Sequence, residues 1–284
     1  MELKQIENDN IFFSPLRYPG GKTRLASTLN KTIKKNFTPN ETITLVEPYA
    51  GGAGASFKLL FSGAVNKIII NDLDNAIYTF WKIAILDTDY LIRKIKRTNV
   101  SISEWKKQKI IYKTSKSERK LAFATLFLNR TNRSGIMNGG PIGGMEQNGK
   151  WKLNERFTKQ TIIERLERIK KCRNKIEIYN LDGIELLKKL ENRKKSNQYF
   201  IFIDPPYFQK GQSLYLNNYK NNNHEELSNF LTKSSLKKWV MTYNDVPYIK
   251  NLYKNMQIKN FVIQHNAHYS KIGKEIIIFP KNLH

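Results

Sequence analysis

Phe200-Ile201-Phe202-Ile203 is apolar at every position and is cut off by Asp204-Pro205-Pro206-Tyr207. A strand with no polar face has to be covered on both sides, as strands are in a parallel sheet layered with helices. The two prolines end its hydrogen-bond ladder and stiffen the loop beyond it. Six further short runs read as strands: Thr44-Leu45-Val46, Ile68-Ile69-Ile70, Ile176-Glu177-Ile178-Tyr179, Trp239-Val240-Met241-Thr242, Phe261-Val262-Ile263 and Glu275-Ile276-Ile277-Ile278-Phe279. Helical patterns over 56–61, 74–85 and 183–190 separate several of them. The predicted fold is α/β, a Rossmann-like open seven-stranded sheet that takes its ligands at the carboxyl ends of the strands.

The alternation breaks once. About 90 residues separate the second and third runs, far more than one crossover helix needs. The gap is rich in Lys and Arg and contains the apolar helical run Leu121-Ala122-Phe123-Ala124-Thr125-Leu126-Phe127-Leu128. A Gly/Asn-rich stretch over 134–149 comes next and reads as an exposed loop. The predicted organisation is a domain made of 1–85 and 176–284, carrying an inserted, mostly helical subdomain over 86–175.

A chain of 284 residues, 40% hydrophobic, can bury a large core. It holds no run of 18 apolar residues, and Met1-Glu2-Leu3-Lys4-Gln5 opens no signal-peptide core. The single cysteine, Cys172, excludes an intramolecular disulfide and a thiolate zinc cluster. The histidines at 224, 265, 268 and 284 show no ligand spacing, so no metal is expected. These features predict a protein of the bacterial cytoplasm or nucleoid. A formal charge of +25 invites a polyanion, although an AT-rich genome raises Lys and Asn usage by itself, and motifs must decide.

The first strand runs into Glu47-Pro48-Tyr49-Ala50-Gly51-Gly52-Ala53-Gly54 and then into an apolar helix. Glycines there let backbone approach a ligand. Asp72 comes eighteen residues after Gly54, at the end of the next strand, where a carboxylate can accept from both ribose hydroxyls. The spacing departs from G-x-G-x-x-G, which disfavours dinucleotides and their pyrophosphate. Pro15-Leu16-Arg17-Tyr18-Pro19-Gly20-Gly21-Lys22 serves equally as a turn before a helix or as an aromatic and a cation closing on a ligand.

Asp204, Pro205, Pro206 and Tyr207 bring a carboxylate, a carbonyl and a ring together at a strand's carboxyl end. An exocyclic amine is a weak nucleophile because its lone pair is delocalised into the base. Hydrogen bonds from it to the Asp204 carboxylate and the Pro205 carbonyl favour a tetrahedral nitrogen whose lone pair can attack a methyl carbon in line. Tyr207 can stack on a base taken out of a duplex.

In their order along the chain, Tyr18-Pro19-Gly20-Gly21-Lys22, Glu47-Pro48-Tyr49 with its glycines, Asn71-Asp72 and Asp204-Pro205-Pro206-Tyr207 resemble the Dam-type adenine-N6 DNA methyltransferases. Leu128-Asn129-Arg130 opens a further shared segment. The resemblance implies S-adenosylmethionine as cofactor and double-stranded DNA as substrate. It also implies a target-recognition role for 86–175, with a protein monomeric in solution and able to dimerise on DNA. It implies Tyr18, Lys22, Tyr49, Gly51 and Gly54 around the cofactor, Asp72 on its ribose, Asp182 near its adenine and Asp204 on both cofactor and target amine. An N-cap explains Asp182 equally well. Lys22 and Arg17 face either cofactor or DNA phosphates.

The chain departs from the GATC-reading members within the insertion. Arg130-Thr131-Asn132-Arg133-Ser134-Gly135-Ile136-Met137-Asn138 lacks the aromatic-Asn-Gly step, and Asn138 stands where a reading arginine is expected. Arg130 and Arg133 can reach guanine edges, and Asn132 or Asn138 adenine, so these four are the candidate base readers. N4-cytosine and RNA substrates remain alternatives, as does a non-catalytic DNA-binding protein; Asp at the head of Asp-Pro-Pro-Tyr favours adenine.

Overall fold

The computed structural model describes residues 13–17, 22–207, 221–264 and 272–284. All seven expected strands form: β1 Thr44–Glu47, β2 Lys67–Asn71, β3 Ile176–Tyr179, β4 Tyr199–Ile203, β5 Trp239–Asn244, β6 Gln257–Gln264 and β7 Ile272–Phe279. They make one sheet in the order β3-β2-β1-β4-β5-β7-β6. β1 runs parallel to both β2 and β4, and β4 parallel to β5, whereas β7 is antiparallel to β5 and to β6. Every residue of β4 is buried, as its lack of a polar face requires. Strand order reverses between β1 and β4. In open α/β sheets, ligands bind outside the carboxyl ends of the strands at such a switch point.

Two compact units emerge. The first contains Lys22–Leu73 and Tyr179–His284, and the second contains 13–17 and Asp74–Ile178. In the first unit, α1 (Ala26–Asn36) and α2 (Gly54–Phe61) pack together. The interior gathers Val46, Ile69, Leu187, Ile201, Ile203, Trp239, Met241 and Ile276. Burying side chains of this size contributes roughly 1.5–3 kcal/mol each.

The second unit is helical, built from α3 (Asn75–Leu86), α4 (Thr88–Arg97), α5 (Ile102–Thr114), α6 (Glu118–Thr131) and α7 (Lys159–Lys171). It begins at Asp74 instead of 86. The reason is α3, which buries Ile77, Phe80, Trp81 and Ala84 and packs on α6. Asp74 starts that helix by accepting from the Ala76 N–H at 2.8 Å. The Gly/Asn-rich stretch is more ordered than its lack of periodicity suggests. Gln147 Nε2 donates to the carbonyls of Ile142 and Gly144, and its Oε1 accepts from Leu153 N. One amide side chain thereby adds to the turn hydrogen bonds that the backbone makes there, such as Gly144 N to the Pro141 carbonyl and Gly149 N to the Gly143 carbonyl.

Candidate active site

Two carboxylates stand at the carboxyl ends of the neighbouring strands β1 and β2. Asp72, just past β2, accepts at Oδ2 from Gly51 N at 2.8 Å. Gly51 adopts φ +46°, the left-handed region where glycine carries no Cβ penalty. Asn71 ties the neighbouring strand ends together, donating to the Pro48 and Leu181 carbonyls (2.8 and 2.9 Å) and accepting from Leu181 N. Glu47, the last residue of β1, is buried and bonded to Ser56 Oγ at 2.5 Å. Burial is the largest influence on its carboxyl and, with the nearby charges of Asp204 and Asp72, outweighs the Ser56 hydrogen bond to push its pKa up to about 8. Glu47 is therefore largely protonated at neutral pH.

Asp182 opens α8 (Gly183–Glu191) and accepts from Ile184 N at 2.8 Å, so the N-cap role is made. Gly183 has a separate necessity. A Cβ there would collide with the ring and hydroxyl of Tyr49, so only glycine lets that ring sit against the start of α8. Gly54 is the first residue of α2. Leu73 stays 47% exposed beside Asp72, an apolar surface next to a polar anchor.

Asp204 comes directly after β4. Thr242 of β5 donates to its Oδ1 at 2.6 Å, and Lys22 Nζ lies 3.1 Å from its Oδ2. Lys22 is itself buried, stands 3.8 Å from Glu275 Oε2 on β7, and lies 5.0 Å from the centroid of the Tyr207 ring. Tyr207 packs near Tyr243, whose hydroxyl shares a 2.7 Å hydrogen bond with His224 Nδ1. Burial lowers the His224 pKa to about 4, which keeps it neutral. Pro205 is buried and Pro206 partly so, which leaves little freedom at the strand end.

Residues 18–266, from the first motif through Asp204-Pro205-Pro206-Tyr207, match the family model of the D12 class N6 adenine-specific DNA methyltransferases. The chain belongs to that family. This methyltransferase is 23% identical over 268 residues to the type II methyltransferase M.MjaIII of Methanocaldococcus jannaschii, a match covering 87% of this chain and 90% of that protein. Among solved structures it is similar to the rRNA methyltransferase aviRa from Streptomyces viridochromogenes (TM-score 0.40, 14% identity, 92% of this chain and 85% of that one). It is also similar to a precorrin-6y C5,15-methyltransferase from Geobacter metallireducens (TM-score 0.38, 7% identity, 90% and 88%). As an adenine-N6 DNA methyltransferase, its family implies S-adenosylmethionine as methyl donor and DNA as substrate. Among the described residues no helix is long and apolar enough to cross a membrane.

The remaining expected residues fall into distinct settings in the second unit of this enzyme. Tyr18, like His265 and His268, lies outside the described residues. Arg133 and Asn138 are exposed on the 132–152 segment. Asn132 is fully buried. Its Oδ1 accepts from Trp105 Nε1 at 2.7 Å and its Nδ2 donates to the Ile136 and Met137 carbonyls. A side chain so buried, with both donors used, shapes the loop and is not presented to a base edge. Arg130 is also buried, and its Nε meets no acceptor among the described residues. Burial first, then the charges of Arg165, Arg17 and Arg156, lower its pKa to about 9, which leaves it charged at neutral pH. Asn129 holds this cluster's geometry by bracketing Arg17, accepting from its N–H and donating to its carbonyl, both at 2.7 Å.

Sequence reasoning gave no individual role to Glu47, Thr242, Glu275, Arg156 and Arg165. Glu47 carried a signal as the head of the Glu47-Pro48-Tyr49 motif, and Glu275 as an acidic residue opening an otherwise apolar run. The others were invisible because they meet their partners through the sheet or across helices.

Proposed function

We propose that this methyltransferase binds S-adenosylmethionine at the carboxyl ends of β1 and β2 and methylates N6 of an adenine extruded from duplex DNA. The observation that carries this reading is Asp204, half-buried beside the switch point, with both carboxylate oxygens oriented by Thr242 and Lys22. The residues present suit the cofactor: Asp72 offers a carboxylate for the ribose, Leu73 and Tyr49 offer apolar surface, and the acidic groups suit a cationic sulfonium. The bound cofactor supplies an electrophilic methyl group. Asp204 and the Pro205 carbonyl accept from the target amine and aim its lone pair, while Tyr207 stacks on the base. Once alkylated, the nitrogen would give up a proton, for which the Asp204 carboxylate stands as the acceptor.

The second unit serves as the target-recognition subdomain. The sequence over 13–21 and 74–178 holds 25 Lys and Arg against 10 Asp and Glu, a net +15 over 114 residues, compared with +10 over the other 170. Arg133 and Asn138 are exposed and suited to base edges. Arg130 fits a backbone phosphate better, because a buried guanidinium among three other arginines gains most from an anion. The protein acts as a monomer in solution, and pairing on DNA would follow from a symmetric target.

The test is methylation of genomic DNA with methyl-labelled S-adenosylmethionine, nucleoside analysis of the product, and sequencing that reports modified bases. N6-methyladenine confined to one sequence motif is expected. Label on cytosine N4, or transfer to RNA alone, would overturn the reading.

A further inference from the structure

Three adjacent positions in the sheet, β4, β5 and β7, each send one polar group to the same place. Asp204 comes from the end of β4, Thr242 from β5, and Glu275 from β7, where it lies opposite Asn244 in the ladder. Lys22 joins them, 3.1 Å from Asp204 and 3.8 Å from Glu275. Side-chain exposures of 4% for Lys22, 20% for Asp204 and 2% for Glu275 put all three charges in a region of low dielectric. Burying a carboxylate at the head of an apolar run is costly, and a hydrophobic residue would extend Ile276-Ile277-Ile278-Phe279 more stably. The second carboxylate therefore calls for a reason beyond packing.

We propose that Glu275 is a positioning residue for methyl transfer, holding the Lys22 ammonium between two carboxylates so that Asp204 keeps acceptor capacity for the target amine. The proposal rests on the assignment of Asp204 as the group that receives that amine. A lone lysine would settle symmetrically on Asp204, occupy both oxygens and cancel its charge. Glu275 draws the ammonium to one side, and Thr242 takes the other oxygen with a single hydrogen bond. An ionised carboxylate has about four acceptor sites, so one donor on each oxygen leaves room for an N–H. A second carboxylate beside Lys22 also adds negative potential where the amine becomes positive during attack. Glu275 touches no reacting atom. It acts through Lys22.

The experiment compares wild type, Glu275→Gln, Glu275→Asp, Lys22→Met and the Lys22→Met/Glu275→Gln double variant. Each is checked for fold by circular dichroism and for S-adenosylmethionine affinity by calorimetry, then measured in single turnover on duplex DNA. Glu275→Gln is expected to lose about tenfold or more in the transfer rate, with cofactor Kd and DNA KM within about twofold of wild type. Glu275→Asp should recover part of the rate. In the Lys22→Met background, Glu275→Gln should cost less than about twofold, because the residue through which it acts is gone. A wild-type rate in Glu275→Gln, or an equal loss in both backgrounds, would overturn the proposal. If Glu275→Gln does not fold, Glu275→Asp decides: a reduced rate at unchanged affinity supports the positioning role, and an unchanged rate removes it. A wild-type protein that transfers no methyl to adenine would instead sink the assignment of Asp204.

Discussion

The Asp72 carboxylate accepts a 2.8 Å hydrogen bond from the Gly51 backbone N–H across the ends of β1 and β2. The glycine turn and the carboxylate proposed to hold the ribose are thus tied to each other. Replacing Asp72 removes both. Asp72→Ala is expected to weaken S-adenosylmethionine binding by about 10- to 100-fold, from the loss of roughly 1.5–3 kcal/mol in hydrogen bonds to a charged acceptor. Calorimetry giving wild-type affinity would take Asp72 out of the site.

Asp204→Ala should leave a folded protein that still binds S-adenosylmethionine but has lost about 100-fold or more in turnover. The target amine would have no anion at its reacting face, and Lys22 would lose its 3.1 Å ion pair. Turnover above about a tenth of wild type would contradict this role.

Glu47 yields a pH prediction. Its folded pKa of about 8 lies above the 4.5 of the free side chain, so between those values the folded protein holds a proton that the unfolded chain releases. Its contribution to stability is fully present below about pH 4.5 and is lost as pH rises towards 8. The loss amounts to at most about 4–5 kcal/mol. Glu47→Gln, neutral throughout, should flatten that part of the stability curve. Urea titrations at pH 5, 7 and 9 measure it, and parallel curves for variant and wild type would refute the buried, protonated state.

Arg130 and Arg133 are close in sequence and opposite in setting, one buried and one exposed. Arg133→Ala should relax sequence choice at one position and cost about 1–3 kcal/mol on the preferred site. Arg130→Ala should weaken binding about equally on every sequence and reduce the salt slope by about 1. Binding titrations against salt, with modified-base sequencing, separate the two. The same profile for both variants would erase the distinction.

Much of the fold was written locally. The β-branched runs became the seven strands, and the fully apolar Phe200-Ile201-Phe202-Ile203 became a wholly buried strand, because apolar periodicity acts over a few residues and needs no distant partner. Asp72 and Asp204 could likewise be singled out, since each ends a strand and a strand's carboxyl end in this fold faces the crevice. The subdomain edge at 74 instead of 86 could not, because α3 belongs to whichever neighbour its apolar face meets.

The partners of the charged side chains were decided only in three dimensions. Asn132 looked like a base reader beside Arg133, yet it is buried and bonded to Trp105 and to two backbone carbonyls. Arg130 looked like Arg133, and burial among arginines sets it apart. Lys22, Thr242 and Glu275 lie 33 to 253 positions apart in the chain and converge on Asp204 through the pairing of β4, β5 and β7. Sequence alone determined which groups are present and which strands they end. Electrostatics falls off with distance in space and not along the chain, so only the tertiary structure determined which of those charges act together.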